Sequence, residues 1–336
     1  MTKHPPQSTA HRDPAPGGAG RLVALVVSYN RLDKLRETLA RLLASPVSEL
    51  SGVVVVENAS TDGTQAWLET LNDPRLHLLC QTQNLGGAGG FELGLRWVHD
   101  RLAPDWIVVM DDDARPMPGA FAQFHQMDLT HWDAVAAAVY YPDGRICTMN
   151  TPSLNPFFHA QTFWQTLGKG RAGFHLTQAD YAGAPRQVDV SYFVGLFVSR
   201  GAIMRNGFPD GRLFVYAEDG LYTLGLTRAG EKIGFLPAVQ FEHDCSTFAA
   251  HDSKRFQPLW KIYYYHRNLL MLYRDAAGPW FWPALLLILP KWAAKLAHHS
   301  GERRAAWRLL SLAVLHGIAR RTEIRHSEVI ARAEGK

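Results

Sequence analysis

The stretch Trp106-Ile107-Val108-Val109-Met110-Asp111-Asp112-Asp113 passes from five apolar side chains directly into three carboxylates. An apolar run this short reads as a strand buried on both faces of a parallel sheet. Its polar end then lies at the carboxyl edge of the sheet, where open α/β folds take their ligands. Strand alternation points Asp111 and Asp113 to one side and Asp112 to the other. Three neighbouring carboxylates repel one another. Two hard oxygens on one side suit Mg²⁺ or Mn²⁺, ions that commonly carry substrate phosphates. Taken alone, the triplet also reads as a solvated acidic turn.

Working outward, strands and helices alternate. Arg21 to Tyr29 is an apolar, β-branched strand ending at Asn30 and Arg31, and Leu32, Leu35, Leu39 and Leu42 then recur at helical spacing. Val53 to Val56 is a second buried strand that ends at Glu57. Ser60, Thr61 and Asp62 are helix-capping types, which predicts a helix within Gln65 to Leu71. Leu76 to Leu79 is a third strand, and a helix from about Phe91 to Leu102 leads into the carboxylate strand. The alternation predicts a doubly wound α/β layer. Between the third strand and its helix stands Asn84-Leu85-Gly86-Gly87-Ala88-Gly89-Gly90-Phe91. Glycines there let a backbone pass close to a ligand at a helix N-terminus. They equally serve close packing of helix on sheet.

Downstream the periodicity fades. Tyr140 to Arg186 interleaves Pro, Gly, His and aromatics, as a long functional loop or small subdomain does. Val188 to Ser199 returns to strand composition. Phe214-Val215-Tyr216-Ala217 precedes a second acidic pair, Glu218-Asp219, at the head of a predicted helix ending near Gly230. Ile233 to Leu236 and Val239 to Phe241 read as short strands, ending at Glu242-His243-Asp244.

The 336 residues, 47% hydrophobic, suffice for one large domain or two ordinary ones. Cys80, Cys147 and Cys245 lack metal-like spacing and read as reduced thiols of a cytoplasmic protein. Residues 1–20, rich in Pro, Gly, Ala and His, read as a disordered tail and are neither signal peptide nor anchor. Residues 251–336 hold 15 Lys and Arg against 6 Asp and Glu, a net of +9, and the remainder carries −5. A basic end on a slightly acidic body suits an anionic surface.

In order and spacing, VVSYNR (26–31), VVENASTDGT (55–64), NLGGAGGF (84–91), VMDDDARP (109–116), FVYAEDGLYTLGL (214–226) and FEH (241–243) resemble glycosyltransferase family 2, the inverting enzymes of the GT-A fold. The likeness covers about Leu22 to Arg274. It is strongest to the branch holding bacterial galactofuranosyltransferases and rhamnosyltransferases. It implies a GT-A domain over residues 21–250 and a metal-dependent single displacement. In such a displacement a base takes the acceptor proton and a cation, Mn²⁺ or Mg²⁺, stabilises the leaving diphosphate. Asp111 and Asp113 match the metal-binding motif, with His243 as third protein ligand. Asp219 matches the catalytic base, and Glu218 is assigned to acceptor or sugar hydroxyls. Where the galactofuranosyltransferases carry a further acidic residue, this chain has Leu221, which puts their acceptor specificity in doubt.

The resemblance further implies nucleotide contacts from Ser28, Tyr29, Arg31, Glu57 and Asp112, with Glu57 standing where many members have Asp. Asn84, Gly86 and Gly87 are expected at the nucleotide sugar. Arg267 is expected at the diphosphate or as a structural helix cation. The donor is a UDP- or dTDP-sugar, galactofuranose or rhamnose, and the acceptor a cell-envelope glycan or polyprenyl-linked glycan. The alternative is a membrane-associated, non-catalytic binding protein on a degenerate transferase fold.

Trp280 to Leu289 is strongly apolar but only ten residues long, against the ~20 a span requires, and Pro283 and Pro290 interrupt it. Arg303 to Arg321 sets Trp307, Leu310, Val314 and Ile318 at helical spacing beside five arginines. Both fit surface helices on anionic lipid, at the cytoplasmic face of the cell membrane. A packed helical subdomain or a homo-oligomer contact is the other reading. No nucleic-acid motif accompanies the basic residues.

Overall fold

The computed structural model describes residues 20–245 and 255–335. The tail expected over residues 1–20 therefore lies outside the described residues, Gly20 excepted. Three β/α steps and a fourth strand open the chain: β1 (Leu22–Ser28), α1 (Leu32–Leu43), β2 (Gly52–Glu57), α2 (Thr64–Leu68), β3 (Leu76–Cys80), α3 (Gly86–Arg101) and β4 (Trp106–Asp111). There follow β5 (Ala114–Pro116), α4 (Ala120–Gln126), β6 (Ala134–Tyr140), α5 (Ala160–Lys169), α6 (Gln178–Tyr181), β7 (Arg186–Val188), β8 (Leu196–Ser199), α7 (Arg200–Asn206), α8 (Glu218–Arg228) and β9 (Ile233–His243). Four further helices complete the chain: α9 (Lys261–Ala277), α10 (Phe281–Lys295), α11 (Arg303–Ala319) and α12 (His326–Ala333).

All nine strands form one sheet in the order β3-β2-β1-β4-β8-β6-β9-β5, with β7 paired to β9. The β3-β2-β1-β4 half is parallel, whereas β8 runs antiparallel to both β4 and β6. The sheet is thus mixed, and helices cover both of its faces as the doubly wound reading predicts. Period-two alternation divides its side chains between two cores. Ala24, Val26, Val53, Val55, Val108 and Met110 face α1 and α4. Leu25, Val27, Val54, Val56 and Val109 face α3 and its Phe91, Leu95 and Val98. Burial on both faces is what the unbroken apolar runs encode.

Three elements depart from the sequence expectations. Val188 to Ser199 is not one strand. Asp189 is buried and bonded to the Asn155 amide and to His159, and Gly195 adopts φ +67° against Ala137 and Phe241, so β7 and β8 separate. Conversely, Ile233 to His243 is one strand, with a register shift at Ala137/Ala138 of β6 accommodating the segment around Pro237. The apolar run from Trp280 continues as α10 through Pro290. Pro283 stands in the first turn, where no amide is needed. The last four helices share a third core that includes Ile262, Tyr263, Leu270, Phe281, Leu309 and Val329. Phe214, Val215 and Tyr216, just ahead of the Glu218-Asp219 pair, pack against it. Among the described residues no helix is long and apolar enough to cross a membrane.

Candidate active site

Strand register brings the functional ends level. Ser28 of β1 pairs with Glu57 of β2, and Val27 pairs with Asp111 of β4. Ser28 and Glu57 are buried, and Ser28 Oγ and Glu57 Oε2 have no hydrogen-bond partner among the described residues. The other Glu57 oxygen, Oε1, accepts from the Ser60 amide at 2.7 Å. An unpaired buried polar atom costs about 1–3 kcal/mol. Two of them at the ligand edge of the sheet mark places where a bound molecule completes the bonding.

The triplet alternates as expected. Asp112 turns toward the first strand, accepting from the Tyr29 amide at 3.4 Å and from Arg31 Nη1 at 3.4 Å. Asp111 and Asp113 turn together, and their carboxylates lie within 4.8 Å of His243 and of each other. His243 Nε2 is 3.0 Å from Asp113 Oδ1, and the Arg31 guanidinium also reaches Asp113. Burial, reinforced by the charge of Asp113, pushes Asp111 up to about 7. Burial likewise pushes Asp112 up to about 7, against the pull of Arg31. For Asp113 burial is outweighed by the hydrogen bond and charge of His243, and its pKa lies below the usual value. Burial also opposes the charge of His243, but the Asp113 hydrogen bond overrides it and raises the ring to about 10. The cluster thus concentrates negative charge that Arg31 and a protonated His243 offset. Two carboxylates and an imidazole are a fitting donor set for a hard divalent cation.

Asp219 and Glu218 approach from the start of α8. Burial pushes Asp219 up to about 6. Burial, then Asp219 and Asp111, hold Glu218 well above the ordinary carboxylate range. Glu218 Oε2 is buried without a partner among the described residues. Asp111 in turn feels Asp219, so the two acidic motifs, more than a hundred residues apart in sequence, meet in one site.

The loop that presents this pair is strained. Phe214, Tyr216 and Ala217 all have positive φ, at 69°, 72° and 61°, a conformation costing roughly 1–2 kcal/mol per non-glycine residue. Two neighbours hold it. Asn268 Nδ2 donates to the carbonyls of Leu213, Val215 and Tyr216 at 3.1, 2.9 and 2.8 Å. Arg267, fully buried, donates to Leu213 O at 2.8 Å and lies over the Tyr263 and Tyr264 rings at 5.1 and 5.0 Å. Of the two roles expected for Arg267, its surroundings are those of the structural helix cation, because its donors bond the loop and its own helix. From the other side, Ala88 N donates to Phe214 O at 3.1 Å. Gly86, at φ +73°, approaches so closely that a Cβ would stand 2.1 Å from Phe214 O. Gly87 lies beside Glu218. Asn84 Oδ1 accepts from the Gly86 amide at 2.8 Å, fixing the turn. Gly90 serves the other expected purpose, since a Cβ there would collide with Val27 on β1.

Three asparagines of this site were not singled out by pattern. Asn58 bridges β2 to the glycine run through Gly86 O and the Leu85 amide, each at 2.9 Å. Asn150 Oδ1 lies 2.7 Å from His243 Nδ1. Asn268 was marked only through the resemblance, as the Asn of an Arg-Asn pair that the family often carries near its site. Asn268→Ala removes three hydrogen bonds to a strained loop, so we expect the melting temperature to fall. We also expect turnover to drop ~10-fold or more, with donor affinity changed much less. Equal loss in both constants would assign Asn268 to binding instead.

Comparison with known proteins accords with this geometry. Residues 23–180 match Glycosyl transferase family 2. The galactofuranosyltransferase GlfT1 of Mycolicibacterium smegmatis is 27% identical over 229 residues, covering 67% of this chain and 71% of that protein. The undecaprenyl-phosphate mannosyltransferase of Micrococcus luteus is 38% identical over 101 residues, which span 29% of this chain and only 40% of that protein's length. Among solved structures, the mannosyltransferase PcManGT of Pyrobaculum calidifontis, in complex with GDP-Man and Mn²⁺, has a TM-score of 0.51 and 22% identity. That match covers 98% of this chain and 90% of that one. Over residues 23–180 the chain thus matches glycosyl transferase family 2, and its sheet and helices form a GT-A-like fold.

Proposed function

We propose that the protein transfers galactofuranose or rhamnose, with inversion, from a UDP or dTDP donor to a cell-envelope glycan or lipid-linked acceptor. The observation that carries this reading is the convergence of Asp111, Asp113 and His243 with Glu218 and Asp219. Relatives named as galactofuranosyltransferase and undecaprenyl-phosphate mannosyltransferase support the donor and acceptor classes. Asp111, Asp113 and His243 would hold Mn²⁺ or Mg²⁺, which supplies charge stabilisation to the leaving diphosphate. Ser28 and Glu57, with their unpaired buried oxygens, receive the nucleoside. Tyr29 and Arg31 follow Ser28 and bond Asp112. Asp219 takes the proton of the acceptor hydroxyl as that oxygen attacks the anomeric carbon. A value near 6 keeps it largely ionised at neutral pH, yet basic enough for the task. Glu218, whose pKa burial holds well above the ordinary carboxylate range, is placed to hydrogen-bond a sugar hydroxyl.

Cation binding must displace the proton of His243 throughout this range and that of Asp111 below pH 7. Deprotonation favours binding, so affinity for Mn²⁺ should rise with pH, at least ~10-fold per unit between pH 6 and 8 and more steeply below 7. Titration calorimetry at four pH values checks this, and a flat profile contradicts the ligand set.

The C-terminal helices add a location. Trp280, Trp282, Leu286 and Leu287 are exposed, at 62%, 54%, 76% and 68%. Lys291 and Lys295 follow on the same helix and Arg303, Arg304 and Arg308 on the next. An apolar face bordered by cations fits a peripheral seat on anionic lipid at the cytoplasmic face of the membrane. Co-sedimentation with phosphatidylglycerol vesicles should fall several-fold in a Trp280→Ser/Trp282→Ser variant. Unchanged binding contradicts this seat, and a variant that instead changes oligomeric state makes the face a contact between copies. The activity is tested by incubating the protein with radiolabelled UDP-galactofuranose or dTDP-rhamnose and bacterial membranes. Label should enter the lipid-extractable fraction from one donor, and incorporation from neither counts against the reading.

A further inference from the structure

Behind His243, on the side away from the carboxylates, lies a group whose chemistry the transfer reaction does not use. The chain after β6 carries Cys147, anchored by its amide to Val139 O at 2.9 Å. The end of β9 carries His243 and Cys245. All three residues are buried. Cys245 Sγ is 3.3 Å from His243 Nδ1, Cys147 Sγ is 4.0 Å from the same nitrogen, and the three atoms lie within 4.8 Å of one another. Asn150 Oδ1 joins them, 2.7 Å from Nδ1 and 3.1 Å from Cys147 Sγ.

Sequence spacing gave no metal motif for these cysteines, because their partners come from chain segments nearly a hundred residues apart. The fold assembles what the spacing conceals. A tetrahedral ion with Zn–S near 2.3 Å and Zn–N near 2.0 Å has sulfur–nitrogen edges of about 3.5 Å and a sulfur–sulfur edge of about 3.8 Å. The two sulfur–nitrogen separations, 3.3 and 4.0 Å, bracket the first of these edges and the sulfurs lie within 4.8 Å of each other, so modest side-chain adjustment brings the three atoms to ligation. We propose that Cys147, Cys245 and His243 Nδ1 form a second cation site, selective for a soft divalent ion such as Zn²⁺, set back to back with the Asp111/Asp113 site across one imidazole. Asn150 Oδ1 is positioned as a fourth donor. Two thiolates and an imidazole prefer Zn²⁺, whereas two carboxylates prefer Mn²⁺ or Mg²⁺, so the two nitrogens of one ring face ligand sets that sort cations by softness. Binding releases both thiol protons and the Nδ1 proton and changes no oxidation state.

The two sites are linked through the shared ring. Positive charge at Nδ1 opposes a second cation at Nε2, and the effect is reciprocal. Zn²⁺ is therefore a built-in antagonist of the carboxylate site.

The test uses the full chain in a Cys80→Ser background, which removes the exposed third thiol, kept reduced throughout. Co²⁺ serves as optical probe and Zn²⁺ as competitor, with excess Mg²⁺ present to occupy carboxylates. We expect one equivalent of Co²⁺ to give thiolate-to-metal charge-transfer absorption, discharged by Zn²⁺. Cys147→Ser and Cys245→Ser should each weaken binding at least ~10-fold, with circular dichroism unchanged. Asp113→Ala should keep the absorption, which separates this site from the carboxylate site. Absence of the charge-transfer band in the folded protein overturns the proposal, as does a band that survives in both serine variants.

Discussion

Asp113→Ala is expected to abolish detectable transfer. Asp113 is buried, faces both Asp111 and His243, and supplies an anionic oxygen to the only cluster of two carboxylates and a histidine found among the described residues. Its removal leaves Asp111 and His243 as a neutralised, two-donor remnant that cannot offset the charge of a diphosphate. Loss of several kcal/mol of charge stabilisation corresponds to ~10³-fold or more in rate. Donor affinity should fall with it, because the diphosphate keeps its charge. His243→Ala acts in the same direction but less severely, since a neutral donor compensates less charge. Full activity in EDTA, with metal removal confirmed by elemental analysis, would remove the basis of this expectation.

Asp219→Asn should behave differently. The shape of the loop is set by Arg267, Asn268 and the glycine run rather than by the carboxylate, so the variant should fold and bind donor normally. Turnover should fall ~10²-fold or more, the scale of lost general-base catalysis. The pH profile separates base from bystander. Asp219 is raised to about 6 by burial, so wild-type activity should rise with pH through that region as the carboxylate ionises. In Asp219→Asn that limb should vanish. Glu218→Gln should cost less activity. It should also raise the melting temperature at neutral pH, because burial disfavours an ionised carboxylate there and the amide removes that penalty. A dead Glu218→Gln beside a near-normal Asp219→Asn would reverse the two roles.

Much of this arrangement is legible in the sequence. The β1, β2 and β4 runs are β-branched and unbroken, and burial on both faces leaves them no other reading. Asp111 and Asp113 share a side, as strand alternation predicts, although β4 ends at Asp111 and a turn carries Asp112 and Asp113. What escaped was context-dependent. β6, Ala134–Tyr140, is largely alanine, which carries no strand preference, and it is a strand because β8 and β9 flank it. Val188 to Ser199 read as one strand because composition does not register a buried Asp189 that needs partners. Pro290 read as a break, whereas α10 continues through it. His243 entered through family resemblance and not through chemistry, since one histidine has no period. Asn58 and Asn150 were silent for the same reason: each acts through partners that only the folded chain brings near. The carboxyl-terminal helices showed their apolar and basic character in sequence, but not that they brace the loop carrying Glu218 and Asp219.

The central claim is a cation-assisted nucleotide-sugar site at the carboxyl edge of the sheet. Isothermal titration of UDP-galactofuranose and of dTDP-rhamnose into the protein with Mn²⁺ present, repeated in EDTA, tests it most directly. Saturable binding of one donor, lost when the cation is removed, is the predicted result. Failure of both donors to bind the folded, Mn²⁺-supplied protein, or binding undiminished in EDTA, would contradict it.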